Sequence, residues 1–415
     1  MMQRLLVCTL SVGLASCVLG SGQGGYGKTK EELADEAAAK EQARQQAIEA
    51  AFAKAVILLG SDKPGALIAF AHVLTIEPKH APSHHNIALI HLSEGRTKQA
   101  EAEFLLALQG DPAFGPAAEG MVAIIEKQSG LAGVEKFFAG KGSGTLKTAS
   151  GRASLAQSLA RAGDLERAER TAVEALRIDE LSPGAMLALG IVYRRQGKRE
   201  LASVALKQAL GVNDRMAAGH HELGLLYRED KRFGQAVQSL LTALELDPTT
   251  AAIANNLASV RTEIGAYREA LVLAHEAMRL DPNMPDYWIT YGNALRGDQQ
   301  FKQAELAYLE ALKRKSDMPA ALYNLGVLYL DNELEAWTQI PRLTASVDYF
   351  RRYLKSSGLS ATEIAQVNGY MALATEAIEK ENKRIERQKR RQEKDAKGKA
   401  SAPAEEKNTA DDKKE

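Results

Sequence analysis

The chain has 415 residues, with 53 Lys and Arg against 53 Asp and Glu and a formal net charge of +0. Such a balance argues against nucleic acid as a partner of the whole chain, and 2 cysteines, Cys8 and Cys17, exclude a disulfide-rich scaffold. The length suffices for two ordinary domains, and a 45% hydrophobic content is that of a soluble protein.

From the N-terminus, Arg4 opens a short positive segment, and residues 5–14 form an apolar stretch too short to remain across a bilayer. That stretch ends in Leu14-Ala15-Ser16-Cys17. Residues 17–28 follow as a tether carrying Gly20, Gly22, Gly24, Gly25 and Gly27. Residues 28–59, rich in Ala, Glu, Gln and Lys, are predicted helical and merge into a weak first repeat holding Ala66, Phe70 and Pro78.

A register of 34 residues then runs from Pro78 through Pro112 to Leu325. An apolar–small pair recurs as Ile87-Ala88, Leu155-Ala156, Leu189-Gly190, Leu223-Gly224, Leu257-Ala258, Tyr291-Gly292 and Leu325-Gly326. A small slot recurs as Ala100, Ala168, Ala202, Ala236, Ala270 and Ala304, and a second as Ala107, Ala175, Ala209, Ala243, Ala277 and Ala311. Two antiparallel helices approach closely only where one side chain is tiny, so this spacing predicts stacked helical hairpins that bury one another's apolar faces. Residues 115–148 are degenerate, with Val122, Val134 and Lys141 in the small slots. After Pro319 an insertion over residues 332–343 is expected to delay the second helix, which restarts near Thr344.

Residues 359–394 read as a capping helix with a basic extension; Ser360 and Glu363 form a capping box, and Lys383, Arg384, Arg387, Lys389, Arg390, Arg391 and Lys394 follow. Residues 395–415 are a mixed-charge tail with the composition of disorder.

The recurring slots resemble the tetratricopeptide repeat (TPR). The resemblance implies an all-α, right-handed superhelix: one elongated solenoid over residues 29–358 with about nine repeats in register from residue 47. Repeats 47–80, 115–148 and 319–358 are the degenerate ones. The Leu-Ala-Ser-Cys tetrapeptide resembles a bacterial lipobox. That likeness implies removal of residues 1–16 as a signal peptide, lipidation of Cys17, and, with Val18 in place of Asp, an outer-membrane lipoprotein facing the periplasm. In this family the first helix of each hairpin lines the binding groove. Carried to this chain, the groove positions are Arg161, Arg194, Arg195, His221, Arg228, Asn255, Asn293, Arg296 and Tyr323, with His85 in the same phase as His221. Guanidinium groups beside amides suit an extended peptide that carries carboxylates, while arginines near helix C-termini are also favoured by the dipole alone. The Lys and Asn of the chaperone-type carboxylate clamp are absent: His85 and Leu89, or His221 and Leu225, occupy those slots.

His80, His84, His85 and His91 cluster in sequence, but His84, His91 and His220 fall in large packing slots, so packing explains them better than a metal. Trp288 falls in a core slot, and Tyr287 is an exposed candidate contact. No nucleophile elbow, zinc-protease or P-loop motif occurs. The expectation is a non-enzymatic scaffold with no cofactor, no metal, no catalytic residues and no nucleic-acid partner. Its partners would be other envelope proteins or extended peptide segments. The whole design resembles TPR lipoproteins that support trans-envelope machines such as gliding motility or the type IV pilus. The alternative is an adaptor docking peptidoglycan hydrolases or synthases.

Overall fold

A computed structural model describes residues 29–332 and 338–400. The signal segment, Cys17, the glycine tether and residues 401–415 lie outside the described residues, as does part of the insertion expected over residues 332–343. The 34-residue register continues through residue 248, and the chain divides there into two compact units, Met1–Pro248 and Thr249–Glu415.

The described part of the first unit consists of α1 (Lys30–Leu58), α2 (Lys63–Ile76), α3 (Ala81–Ser93), α4 (Thr97–Gly110), α5 (Gly115–Ala139), α6 (Ala149–Ala162), α7 (Leu165–Ile178), α8 (Pro183–Arg195), α9 (Arg199–Val212), α10 (Ala217–Glu229) and α11 (Phe233–Leu246), with a 3-10 turn at Thr145–Lys147. The second unit contains α12 (Ala251–Glu263), α13 (Tyr267–Leu280), α14 (Pro285–Gly297), α15 (Phe301–Arg314), α16 (Pro319–Asp331), α17 (Gln339–Tyr353) and α18 (Ala361–Ala400). Consecutive helices pair as hairpins, α3 on α4 and α14 on α15 among them.

The local reasons for these elements repeat with the register. Thr29 and Glu32 close a capping box at the start of α1, and Ser360 with Glu363 closes the expected one before α18. Between repeats, Asp111, Asp179, Asn213 and Asp281 each accept a backbone N–H two residues on, which folds the turn back toward the next first helix. Within hairpins, one turn position must adopt positive φ. Gly95, Gly163, Gly197 and Gly265 supply it, whereas Lys231 (φ 59) and Gln299 (φ 62) hold the same position without glycine's freedom.

Every alanine of the two predicted small slots is fully buried. The glycine of the apolar–small pair marks the helix crossing. A Cβ at Gly190 would stand 2.5 Å from Leu206, at Gly224 2.7 Å from Leu240, and at Gly292 2.5 Å from Tyr308. Each of those partners lies 16 residues on in the sequence. In the last hairpin Gly326 meets Phe350 instead, which is 24 residues on and measures the insertion as 8 residues (24 − 16). The second helix of that hairpin begins at Gln339, earlier than the expected restart at Thr344. Arg342 explains the extra turn: its side chain is buried and donates to the Tyr329 and Leu330 carbonyls at the end of α16.

Residues 115–148 keep the hairpin despite their degenerate slots. Two helical segments within α5 meet at the non-helical Gly130 (φ 61, ψ −161), one residue past the register's turn position, Val122, Val134 and Phe138 pack together across it, and the second segment ends at Ala139. Val134 still fills its small slot in the core, but Lys141 falls beyond the helix. α18 continues to Ala400, past the boundary expected at residue 394. Its first half covers the last hairpin through Val367, Tyr370, Met371 and Ala374.

Candidate protein-binding face

In the first unit the predicted groove arginines are held by side chains and carbonyls of neighbouring repeats. Arg161 makes a bidentate pair with Glu126, its Nε and Nη2 lying 3.1 and 2.7 Å from Oε2 and Oε1 also within reach of Nε at 3.3 Å. Arg194 bridges Glu222 (Nε to Oε2, 3.0 Å) and Glu229 (Nη1 to Oε1, 2.5 Å), and only 12% of its side chain is exposed. Burial works against its charge, but the two carboxylates outweigh it and raise its affinity for the proton. Arg195 donates to the Ala160 and Arg161 carbonyls at 2.7 and 2.9 Å, satisfying the open end of α6. Arg228 and His221 also have partners within the chain. Burial lowers the His221 imidazole from its ordinary value, with Glu222 opposing and Arg194 reinforcing. His85 is buried between the rings of Phe104 and Phe114, at 5.5 and 5.6 Å. Sequence reasoning missed Glu126, Glu222 and Glu229, whose signal is an acid 28 or 35 residues from an arginine.

The second unit differs. Here α14, α15, α16 and α18 bring Asn293, Arg296, Tyr308, Tyr323, Asn324, Gln366 and Tyr370 into one polar cluster. Asn293 Oδ1 accepts from Tyr308 Oη at 2.8 Å and from Asn324 Nδ2 at 2.9 Å. Gln366 Nε2 donates to Tyr370 Oη at 2.8 Å and reaches Tyr323 Oη at 3.5 Å. Tyr323 also stacks edge-on against Phe350 and leans on Tyr353. Burial pushes the Tyr308 phenol up to about 12, against the neighbouring Arg296 guanidinium. Burial and then the hydrogen bond with Tyr370 push Tyr323 up to about 12 as well. Both phenols are therefore protonated at any physiological pH, and Tyr308 spends its proton on Asn293.

Arg296 makes no ion pair with any described carboxylate; it lies within hydrogen-bonding reach of the Tyr308 phenol, and its charge acts against burial at both Tyr308 and Tyr323. The residue 35 on from it is Asp331, one methylene shorter than the Glu229 that holds Arg194, and no ion pair joins them. Asn293, Arg296 and Tyr323 are thus the predicted groove residues that the structure gathers, half-exposed, into one place. Asn255 stands on α12 of the same unit, with its Oδ1 buried and accepting no protein hydrogen bond. Tyr287, expected to be exposed, is buried at 8% exposure because its position faces the core side of α14.

A large ring slot on the first helices has a role that spacing alone did not reveal. His84, His220 and Trp288 each place a ring nitrogen on a carbonyl six residues upstream: Pro78 at 3.0 Å, Asp214 at 2.8 Å and Pro282 at 3.2 Å. The slot thus ties each first helix to the turn before it, and at Trp288 the Arg314 guanidinium covers the ring at 4.4 Å. Among the described residues no group of three or more His, Cys, Asp or Glu side chains is placed to hold a metal ion, and no helix is long and apolar enough to cross a membrane.

Paired helices in 34-residue register, alanine or glycine at each crossing and a polar first-helix face define a helical-repeat protein of the protein-binding kind. The family described as tetratricopeptide repeat matches residues 81–114, 153–205, 187–251 and 290–361. The chain carries tetratricopeptide repeats, and such repeats imply a scaffold for protein–protein interaction. No curated protein matches it. Among solved structures, a chain of the APC/C hetero-tetramer Cut9-Hcn1 is similar with a TM-score of 0.63 at 14% identity, over 79% of this chain and 63% of that one. This chain therefore spans less than two thirds of that relative. PilF of Pseudomonas aeruginosa gives a TM-score of 0.43 at 22% identity, covering 50% of this chain and 93% of its own. YrrB, described as a TPR protein with an unusual peptide-binding site, gives 0.35 at 20%, covering 46% and 95%. At 14% identity the likeness to the Cut9-Hcn1 chain is one of fold.

Proposed function

We propose that the protein is a lipid-anchored scaffold of a bacterial outer membrane, facing the periplasm, which holds a carboxylate-bearing segment of another envelope protein on its second unit. The observation that carries the binding half is Arg296: a half-buried guanidinium with no carboxylate partner among the described residues, beside Asn293 and two phenols that stay protonated. A carboxylate entering there would gain a charge-assisted hydrogen bond without first displacing an internal acid. In the first unit, Arg161 and Arg194 are already neutralised. The anchor half is supported by Leu14-Ala15-Ser16-Cys17 at the end of a short apolar stretch, followed by a glycine tether. An anchored repeat scaffold suits assembly of a trans-envelope machine, of which gliding motility and the type IV pilus are the examples this design most resembles.

The test is co-purification from crosslinked envelopes with tagged wild type and with Arg296→Glu. Machine components should be recovered with wild type and reduced at least tenfold with the variant, while the two proteins melt alike. Equal recovery would remove Arg296 from the binding face. Recovery of peptidoglycan hydrolases or synthases in place of machine components would turn the scaffold into a cell-wall adaptor.

A further inference from the structure

Beyond the part that covers the last hairpin, α18 carries a row of cations of which all but Arg384 form no ion pair with a described carboxylate. Lys380, Arg384, Arg387, Arg391 and Lys394 recur at spacings of four and three, so at 100° per residue they share an arc of about 80°. All five are exposed, and Lys383 flanks them. Arg384 is paired with Glu381 at 2.6 Å. Lys380, Lys383, Arg387, Arg391 and Lys394 form no ion pair with any described carboxylate, although Glu386 and Glu393 stand on the same helix. Glu386 serves Arg390 instead, on the flank of the row. At about 1.5 Å per residue the row is roughly 21 Å long. At its start it borders a hollow of about 780 Å³ between α18 and Gln339 of α17, whose α18 wall carries Lys380, Lys383, Arg384, Arg387 and Arg391 with a single acid, Glu381.

The chemistry of the row narrows its partner. Protein interfaces are held by buried aromatic and aliphatic anchors with charge at the rim. This row offers no such anchor, since the aliphatic side chain of this stretch, Ile385, lies on the far side of the helix from it. What remains is a straight line of fixed positive charge, rich in guanidinium groups that match paired phosphate oxygens. A flat surface of repeated phosphates can meet all of it at once. We infer that this face of α18 docks on anionic phospholipid headgroups, laying the C-terminal helix along a bilayer. The choice of a bilayer over another polyanion rests on the reading of the protein as membrane-anchored.

The test uses the full-length chain with Cys17→Ala, so that no acyl group contributes. It is incubated with vesicles of phosphatidylcholine alone and with vesicles containing about one third phosphatidylglycerol, and bound protein is measured by co-sedimentation. Binding to the anionic vesicles should exceed binding to the neutral ones at least tenfold at low salt, and the excess should collapse as salt is raised past about 0.15 M. Neutral vesicles report whatever the N-terminal apolar stretch contributes. K383E/R387E/R391E should lose the excess while keeping the melting curve of the parent. An excess that survives these substitutions, or no excess in the parent, overturns the inference. Salt-sensitive binding to duplex DNA in place of the anionic vesicles overturns it in favour of nucleic acid. Acylation of Cys17 is read separately, by the mass of the envelope protein, so the anchor and the row can fail independently.

Discussion

His84 holds both ring nitrogens on acceptors: Nδ1 lies 2.7 Å from Glu103 Oε2 and Nε2 lies 3.0 Å from the Pro78 carbonyl. A neutral imidazole can donate from one nitrogen only, so this geometry fits the charged form. Burial pushes the group down, and the two hydrogen bonds with the Glu103 charge more than reverse it, leaving it raised above its ordinary value. A raised value in the folded state contributes stability that is full below the unfolded value, about 6.5. That contribution is lost as pH climbs through the folded value. His80, His91 and His221 are lowered, mainly by burial, and act in the opposite sense. The comparison that isolates His84 is therefore wild type against Glu103→Gln. The gap between their melting temperatures should be wide at about pH 5.5 and narrow at about pH 8.5. A gap independent of pH would show that the pair is an ordinary neutral hydrogen bond. Arg194 teaches a related lesson, since its predicted role in ligand capture competes with two internal glutamates that the linear sequence sets far from it.

At the scale of the helical hairpin, two positions carry the geometry and can be tested against each other. Gln299 occupies with φ 62 the turn position that glycine takes in four other repeats. Gln299→Gly should relieve the left-handed backbone and stabilise the protein by about 0.5–1 kcal/mol in denaturant melts. Gly326→Ala should do the reverse. Its Cβ would meet the Phe350 ring at 2.6 Å, and overpacking of this kind costs about 1–3 kcal/mol. If Gln299→Gly destabilised the chain, something other than backbone strain would have to hold that turn. The hairpins were legible in the sequence because their determinants are local and repeat: small residues at crossings and large ones around them. Less legible was the point where α17 begins. Its start is fixed by Arg342 reaching the end of α16, a contact that no periodicity encodes. The turn of residues 115–148 falls at Gly130, one residue past its register position.

For the molecule as a whole, the repeat register revealed the fold class, but not which polar residues of the first helices are already held by acids within the chain. Availability depends on acids 28 to 35 residues away. Arg194 pairs with Glu229, 35 residues on, whereas Arg296 forms no ion pair with Asp331 at the same spacing. The clearest whole-protein test concerns attachment. Cys17→Ala should move the protein from the membrane pellet to the soluble fraction of lysed envelopes, because acyl chains on that cysteine would supply most of the binding energy. Retention of the variant in the pellet at high salt would remove the lipid from the account.

The clasp of Arg161 on Glu126, of Arg194 on Glu229 and of Arg195 on the α6 carbonyls joins residues one repeat length, or one residue more, apart. That arithmetic makes the first unit editable in only one denomination. Excising or duplicating a block of 34 residues from among residues 149–248 would keep the remaining slots in phase, with small residues still meeting at each helix crossing. A cut of half that length would set first helices against second-helix sites and strand the guanidinium groups. Length variants of this protein should therefore come in whole repeats.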